Sequence, residues 1–198
     1  DGLFAAGVRE TTIIIGYQGE KIVEALGNVS PCGMKLRFVE NDRFELGNAR
    51  SLWAARDAVR SDFVLAMGDH VSEPELTRAV VAGADRRHRL AVDRADGDDA
   101  RADEATRVRV RDGRVVDLGK SLPDWNALDT GTFWCTPQIF DALDDQRRDG
   151  ELGDLFGMLA RAGDLDAVDV SGRRWIDIDT AADLARAEAM LGADGRLA

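Results

Sequence analysis

Lysine and cysteine are scarce in this 198-residue chain, tyrosine occurs once, and aromatic residues make up only 6%. The lysines are Lys21, Lys35 and Lys120, so Arg carries nearly all of the positive charge. Acidic residues outnumber basic ones by 37 to 26, a net charge of −11. With no basic stripe to neutralise a phosphate backbone, nucleic acid is excluded as a partner. Small anions stay admissible where a metal or a cluster of N–H groups receives them. Cys32 and Cys135 sit in no CxxC or Cys/His spacing, which argues against a sulfur-ligated metal and for a reduced, cytoplasmic protein. No run approaches the ~20 apolar residues of a membrane-spanning helix. The opening DGLFAAGVRE has neither a charged n-region nor an apolar h-region and does not begin with Met.

What is present reads as alternating strands and helices. Asp1 to Arg9 looks like the last turns of an amphipathic helix, and Thr11 to Ile15 is a β-branched strand ending at Gly16-Tyr17. A short helix over Glu20 to Leu26 closes at Gly27. Lys35 to Val39 alternates as a second strand, and Asn48 precedes a helix over Ala49 to Arg60 with Leu52, Trp53, Ala55 and Val59 on its apolar face. The run Phe63 to Gly68, apolar or small without alternation, has the pattern of a strand covered on both faces. This succession implies right-handed crossovers and a largely parallel sheet. Ser72-Glu73-Pro74-Glu75 has a capping-box pattern opening a helix to about Ala84. After a short strand, Leu90 to Asp93, an acidic loop runs from Arg94 to Thr106. It misses the EF-hand spacing and reads as solvated. Asp112-Gly113 between two apolar runs predicts a hairpin. Ala127 to Cys135 is a strand interrupted at Asp129-Thr130-Gly131, where glycine marks close approach of a ligand or backbone. Helices follow from Thr136-Pro137 to about Arg147 and from Glu151 to Ala162. Two last strands, Asp166 to Val170 and Trp175 to Asp179, precede a helix opened by the capping pattern Thr180 to Asp183. There is no internal repeat and no Pro/Ser-rich linker, so residues 1–198 read as one domain.

Two acidic positions stand out. In the stretch Asp62 to Val71, DFVLAMGDHV, the buried apolar run stops at Asp69, at the strand's carboxyl end, where open α/β sheets place their ligands. It reads either as a divalent-metal ligand or as a turn Asp bonded to its own loop. Strand alternation in Trp175-Ile176-Asp177-Ile178-Asp179-Thr180 puts Asp177 and Asp179 on one face. Two acids from separate strand ends suit Mg²⁺, which completes its shell with water and phosphate oxygens. The competing reading has Asp179 capping the final helix and Asp177 paired with Arg173 or Arg174.

Taken together, IIIGYQGEKI from Ile13, RFVEND from Arg37, GNARSL from Gly47, VLAMGDHV from Val64, DEATRV from Asp103, Gly119-Lys120, WNALDTGTFWCTPQIF from Trp125 and WIDIDTAADL from Trp175 resemble the sugar-phosphate nucleotidyltransferases. These enzymes have a glycosyltransferase-A-like three-layer α/β/α sandwich with a mixed, mostly parallel central sheet. GDH, DEAT, DTG and IDIDT point to the CTP:inositol-1-phosphate cytidylyltransferase branch. The resemblance implies Mg²⁺ on Asp69 and Asp177, with Asp179 as substitute or neighbour. It further implies that Asn48 reads the base with Gly16 and Tyr17 nearby, that Lys120 meets the acceptor phosphate, and that Asp129, Thr130 and Gly131 line the polyol pocket. Asp69, Lys120 and Asp177 are thus the expected catalytic residues, His70 a structural neighbour. The implied partners are a nucleoside triphosphate and a sugar or inositol phosphate. Without the resemblance, Asn48 is a plain N-cap, Lys120 a turn lysine and Asp129 a turn acid.

One departure is specific. Members begin with a strand leading into a Gly-rich LAAGxGxR loop and a Pro-Lys that wrap the triphosphate, and no such stretch occurs here. The expectation is a truncated domain lacking its first strand, with little or no transferase activity of its own. A transferase for another sugar phosphate or phosphocholine, and a non-catalytic nucleotide-binding module, remain open alternatives. Some relatives carry a fused membrane-embedded alcohol-phosphotransferase domain, and whether one follows Ala198 is left open.

Overall fold

A computed structural model describes residues 2–83, 85–95, 99–143 and 147–191. Parts of the acidic loop, and of the helix expected up to Arg147, lie outside the described residues. After a single helical turn, α1 (Gly2–Ala5), the β-branched run forms β1 (Glu10–Ile15), which leads through α2 (Gly19–Leu26) into β2 (Lys35–Glu40). The two strands pair in parallel, Ile13 opposite Phe38, as a two-stranded sheet of their own. Helix α3 (Asn48–Ala54) is shorter than its apolar periodicity predicts. Its last turn tightens into a 3₁₀ turn over Ala55–Asp57, where Arg56 folds back to lie over the Trp53 ring and donate to the Trp53 carbonyl.

The main sheet has six strands. In spatial order they are β3 (Phe63–Ala66), β8 (Ala127–Cys135), β5 (His88–Arg94), β9 (Leu165–Asp169), β7 (Arg114–Gly119) and β6 (Arg107–Arg111). The sheet is mixed, as expected, but within it only β5 and β9 pair in parallel among the described strands. Strand β8 runs antiparallel to both β3 and β5. The expectation of a mostly parallel sheet followed the crossover pattern of the first half of the chain. Hydrophobic periodicity reports burial, not direction, and the second half returns through hairpins. One of these is the β6–β7 turn, with Asp112 at φ 48° and Gly113 at φ 75°, the left-handed pair that a two-residue hairpin turn requires.

Side chains alternate across this sheet. Leu90 and Val92 of β5 and Phe133 of β8 pack with Leu155, Phe156 and Leu159 of α6 (Leu152–Arg161). Ala91 and Leu128 face the other way, toward Leu76 and Val80 of α4 (Pro74–Val81) and toward Trp175. Each fully buried Leu contributes about 1.5–3 kcal/mol relative to exposure, so the two clusters hold helices against both faces of β5 and β8.

β3 is less covered than its sequence predicts. Phe63, Val64 and Leu65 are half-buried and Ala66 is exposed. Its only described partner is β8, on one side, and β1 likewise pairs on one side only. A third, antiparallel pair joins β4 (His70–Ser72) to β10 (Trp175–Asp177). Ser72 is recruited into this pair, so it does not cap α4. Glu73 takes the N-cap position, Pro74 opens the helix, and the Glu73 carboxylate instead accepts from Arg174 Nε at 2.9 Å. The last helix, α7 (Ala181–Met190), starts with the predicted capping box of Thr180 and Asp183. Between β8 and α6 the described helix is the single turn α5 (Ile139–Ala142). Among the described residues no helix is long and apolar enough to cross a membrane. Cys32 and Cys135 are both free thiols.

Candidate active site

The site is built by the β4–β10 pairing. Its register sets Asp177 opposite His70, and the amide of Ile178 donates to the Asp69 carbonyl at 2.9 Å. Two acids more than a hundred positions apart therefore meet at one imidazole. His70 Nδ1 lies 2.9 Å from Asp69 Oδ1 and 3.7 Å from Asp177 Oδ1. Trp175 fixes the other side. Its ring lies parallel to that of His70 with centroids 6.2 Å apart, and its Nε1 donates to Asp93, which is held in turn by Arg101 at 2.7 Å.

Strand β8 closes the site from the opposite side. Gly131 adopts φ +71°, and a Cβ added there would lie 2.5 Å from His70 Cδ2, so the residue must be glycine for the imidazole to keep its place. The Gly131 amide donates to Asp129 Oδ1 at 2.7 Å. Burial pushes the Asp129 carboxyl up to about 6, against the opposing effects of that N–H and of His70. Burial also raises Asp177, as do the neighbouring Asp179 and Asp69 carboxylates, with His70 acting in the other direction.

These groups surround one cavity of about 190 Å³, which brings together Asn48, Asp69, Lys120, Asp129, Gly131, Asp177 and Asp179 of the expected set. Asn48 opens α3 from Gly47, whose φ of 103° and contact with the Gly150 carbonyl leave no room for a Cβ. Its side-chain oxygen accepts from the Leu152 amide at 2.6 Å. Lys120 is exposed at the cavity edge, and no described residue pairs with its ammonium group.

Three expected residues are placed elsewhere. Thr130 points to the far side of β8, as strand alternation requires, and its hydroxyl donates to the Ala91 carbonyl at 2.9 Å. Gly16 packs on Phe44, and Tyr17, 71% exposed, tilts against the same ring; neither lines the cavity. Glu104 and Thr106 do line it, although no role was assigned to them. The signal was the DEATRV stretch that contains both. A larger cavity, about 420 Å³ beside His88 and Thr136, lies at the other end of β8, about 17 Å from Gly131 by strand rise, and holds none of these groups.

Five carboxyl groups and a single ammonium line the smaller cavity. Like charges about 4 Å apart repel by about 4 kcal/mol at an effective dielectric near 20, so a phosphate enters only with a compensating cation. The residues fit such a cation: Asp177 Oδ1 is buried with no hydrogen-bond partner, and Asp69, His70 and Asp177 offer ligand atoms within 4.8 Å of one another. Asp179 is not in that trio. Strand β10 ends at Asp177, so the alternation that would have paired the two acids stops there, and Asp179 is exposed.

In fold and in sequence the chain is similar to sugar-phosphate nucleotidyltransferases. It is similar to the inositol-1-phosphate CTP transferase from T. maritima, with a TM-score of 0.77 and 26% identity, covering 92% of this chain and 75% of that one. Among curated proteins it is 35% identical over 195 residues to the bifunctional IPC transferase and DIPP synthase of Rubrobacter xylanophilus, covering 92% of this chain and 41% of the relative. The protein of the same name from Archaeoglobus fulgidus is also 35% identical, covering 80% of this chain and 31% of its own length. The chain thus spans less than half of either curated relative. No family model matches it.

Proposed function

We propose that this chain carries the nucleotidyltransferase part of a protein that moves CMP from CTP to inositol 1-phosphate or a similar sugar phosphate, releasing pyrophosphate. The observation that carries the reading is the convergence of Asp69, Asp177, Asp129, Lys120 and Asn48 on one cavity. The solved relative named as an inositol-1-phosphate CTP transferase supports the choice of substrates. The acceptor phosphate oxygen attacks the α-phosphorus in line, and being already ionised it needs no general base. Asp69 and Asp177, with Asp179 beside them, would hold Mg²⁺, which would supply charge stabilisation at the donor phosphates. Lys120 pairs with the acceptor phosphate, Asp129 and the Gly131 backbone position its hydroxyls, and the Asn48 amide meets the base.

The architecture proposed for residues 1–198 is one domain, a three-layer α/β/α sandwich working in the cytoplasm. Its first strand and Gly-rich phosphate loop are not among these residues. Support comes from β1 and β3, each with a described strand partner on one side only. A further strand pairing with both would merge the two sheets, and by this reading the 198 residues alone turn over little substrate.

The test is pyrophosphate release from CTP and inositol 1-phosphate by the full gene product. Asp69→Asn and Asp177→Asn are expected to lower kcat/KM by at least about 100-fold each. Unchanged turnover in either variant overturns the assignment, and brisk turnover by residues 1–198 alone overturns the truncation.

A further inference from the structure

The proposed function assigns the cation to carboxylates alone, yet the nitrogen of His70 stands between them. We propose that His70 Nδ1 is itself a metal ligand, completing a nitrogen-and-two-carboxylate set that holds Mn²⁺ more tightly than the two carboxylates alone would. The inference rests on the metal reading above and deepens it.

Geometry is the first argument. A cation about 2.0–2.2 Å from each of two donors sets those donors roughly 3–4 Å apart, depending on the angle between them. His70 Nδ1 lies 2.9 Å from Asp69 Oδ1 and 3.7 Å from Asp177 Oδ1. As a simple hydrogen-bond donor, Nδ1 satisfies Asp69 but leaves Asp177 Oδ1 buried and unpartnered. One cation among the three, whose ligand atoms all lie within 4.8 Å of one another, would give each a partner.

The second argument is that the ring is not free to leave. The Cδ2–Nε2 edge lies against Gly131, Trp175 lies parallel to the ring, and the β4–β10 register fixes the backbone beneath it. That leaves the Nδ1 edge toward the carboxylates. Such a ring is pre-oriented for coordination, because a ligand locked by its surroundings loses little entropy on binding. As a transition ion Mn²⁺ accepts an imidazole nitrogen beside carboxylates more readily than Mg²⁺, which takes oxygen and keeps its water.

The chain has only two histidines, which makes the test clean. The second, His88, is buried near the other end of the sheet with its Nδ1 accepting from the Thr136 amide at 3.3 Å. Mn²⁺ is titrated into the folded chain and followed by EPR, with pulsed EPR reading ¹⁴N coupling to the bound ion. Expected is a ¹⁴N signal of coordinated imidazole that survives His88→Gln and disappears in His70→Gln. Mn²⁺ affinity should fall about 10–100-fold in His70→Gln, while Mg²⁺, measured by competition, changes less than about threefold. Bound Mn²⁺ that is released by Asp69→Asn but shows no ¹⁴N coupling in the parent chain places His70 outside the shell. That result overturns this inference and leaves the two-carboxylate reading standing. Absence of Mn²⁺ binding overturns both. Because the parent chain alone yields the decisive signal, a misfolded variant does not blunt the test.

Discussion

Replacing Asp129 by Asn should stabilise the metal-free protein at neutral pH, and by an amount that the structure fixes within limits. Burial holds the Asp129 carboxyl up at about 6, against about 3.9 in an unfolded chain. Between those values the folded state binds a proton that the unfolded state does not. Stability therefore falls as pH rises through about 6: the favourable contribution is complete below about pH 4 and absent above about pH 7. A shift of about two units corresponds to roughly 3 kcal/mol of strain from the ionised group at pH 7.5. Asn keeps an oxygen to accept the Gly131 amide, so the change removes the charge and little else. The expected gain is about 2–3 kcal/mol at pH 7.5, shrinking to about 1 kcal/mol or less at pH 4.5. For a chain of this size, about 2–4 °C of Tm per kcal/mol puts the neutral-pH gain near 5–10 °C. Urea unfolding followed by far-UV circular dichroism, at both pH values and with chelator present, measures the difference. An Asn variant no more stable at pH 7.5, or one whose advantage does not change with pH, would refute the reasoning.

Gly131→Ala combines a left-handed φ of +71° with a Cβ 2.5 Å from His70 Cδ2. It should cost about 2–4 kcal/mol in urea unfolding, whereas Gly68→Ala, whose Cβ would meet nothing within 4 Å, should stay within about 0.5 kcal/mol; similar costs for the two would refute the packing argument. Thr180→Ala removes one half of the α7 capping box and should lower stability by about 1 kcal/mol in the same assay.

How much of this was legible in the sequence follows from the range of each interaction. Thr11 to Ile15, the Asp112-Gly113 turn and the Thr180–Asp183 box are settled within a few residues, and the structure contains each of them. The capping pattern at Ser72-Glu73-Pro74-Glu75 was equally local and misled, because Ser72 had a distant competitor. Its backbone pairs with Trp175, which removes it from the cap position. The same long-range pairing explains what sequence reasoning missed at the site. Alternation within WIDIDT coupled Asp177 to Asp179, but the strand that would enforce alternation stops at Asp177. What sits beside Asp177 is decided by β4, and β4 presents His70. Tyr17 and Gly16 fail to reach the cavity for a related reason. They follow β1, whose only described strand partner is β2, so nothing in these residues ties that loop to the Asp69 end of β3. The half of the site held by β4, β8 and β10 is thus organised by contacts inside the chain, with an imidazole clamped between Trp175 and Gly131 at its centre. By the proposed reading, the half that would hold the triphosphate needs a further strand joining β1 and β3, each of which has a described strand partner on one side only, for Gly16, Tyr17 and Asn48 to act on one nucleotide.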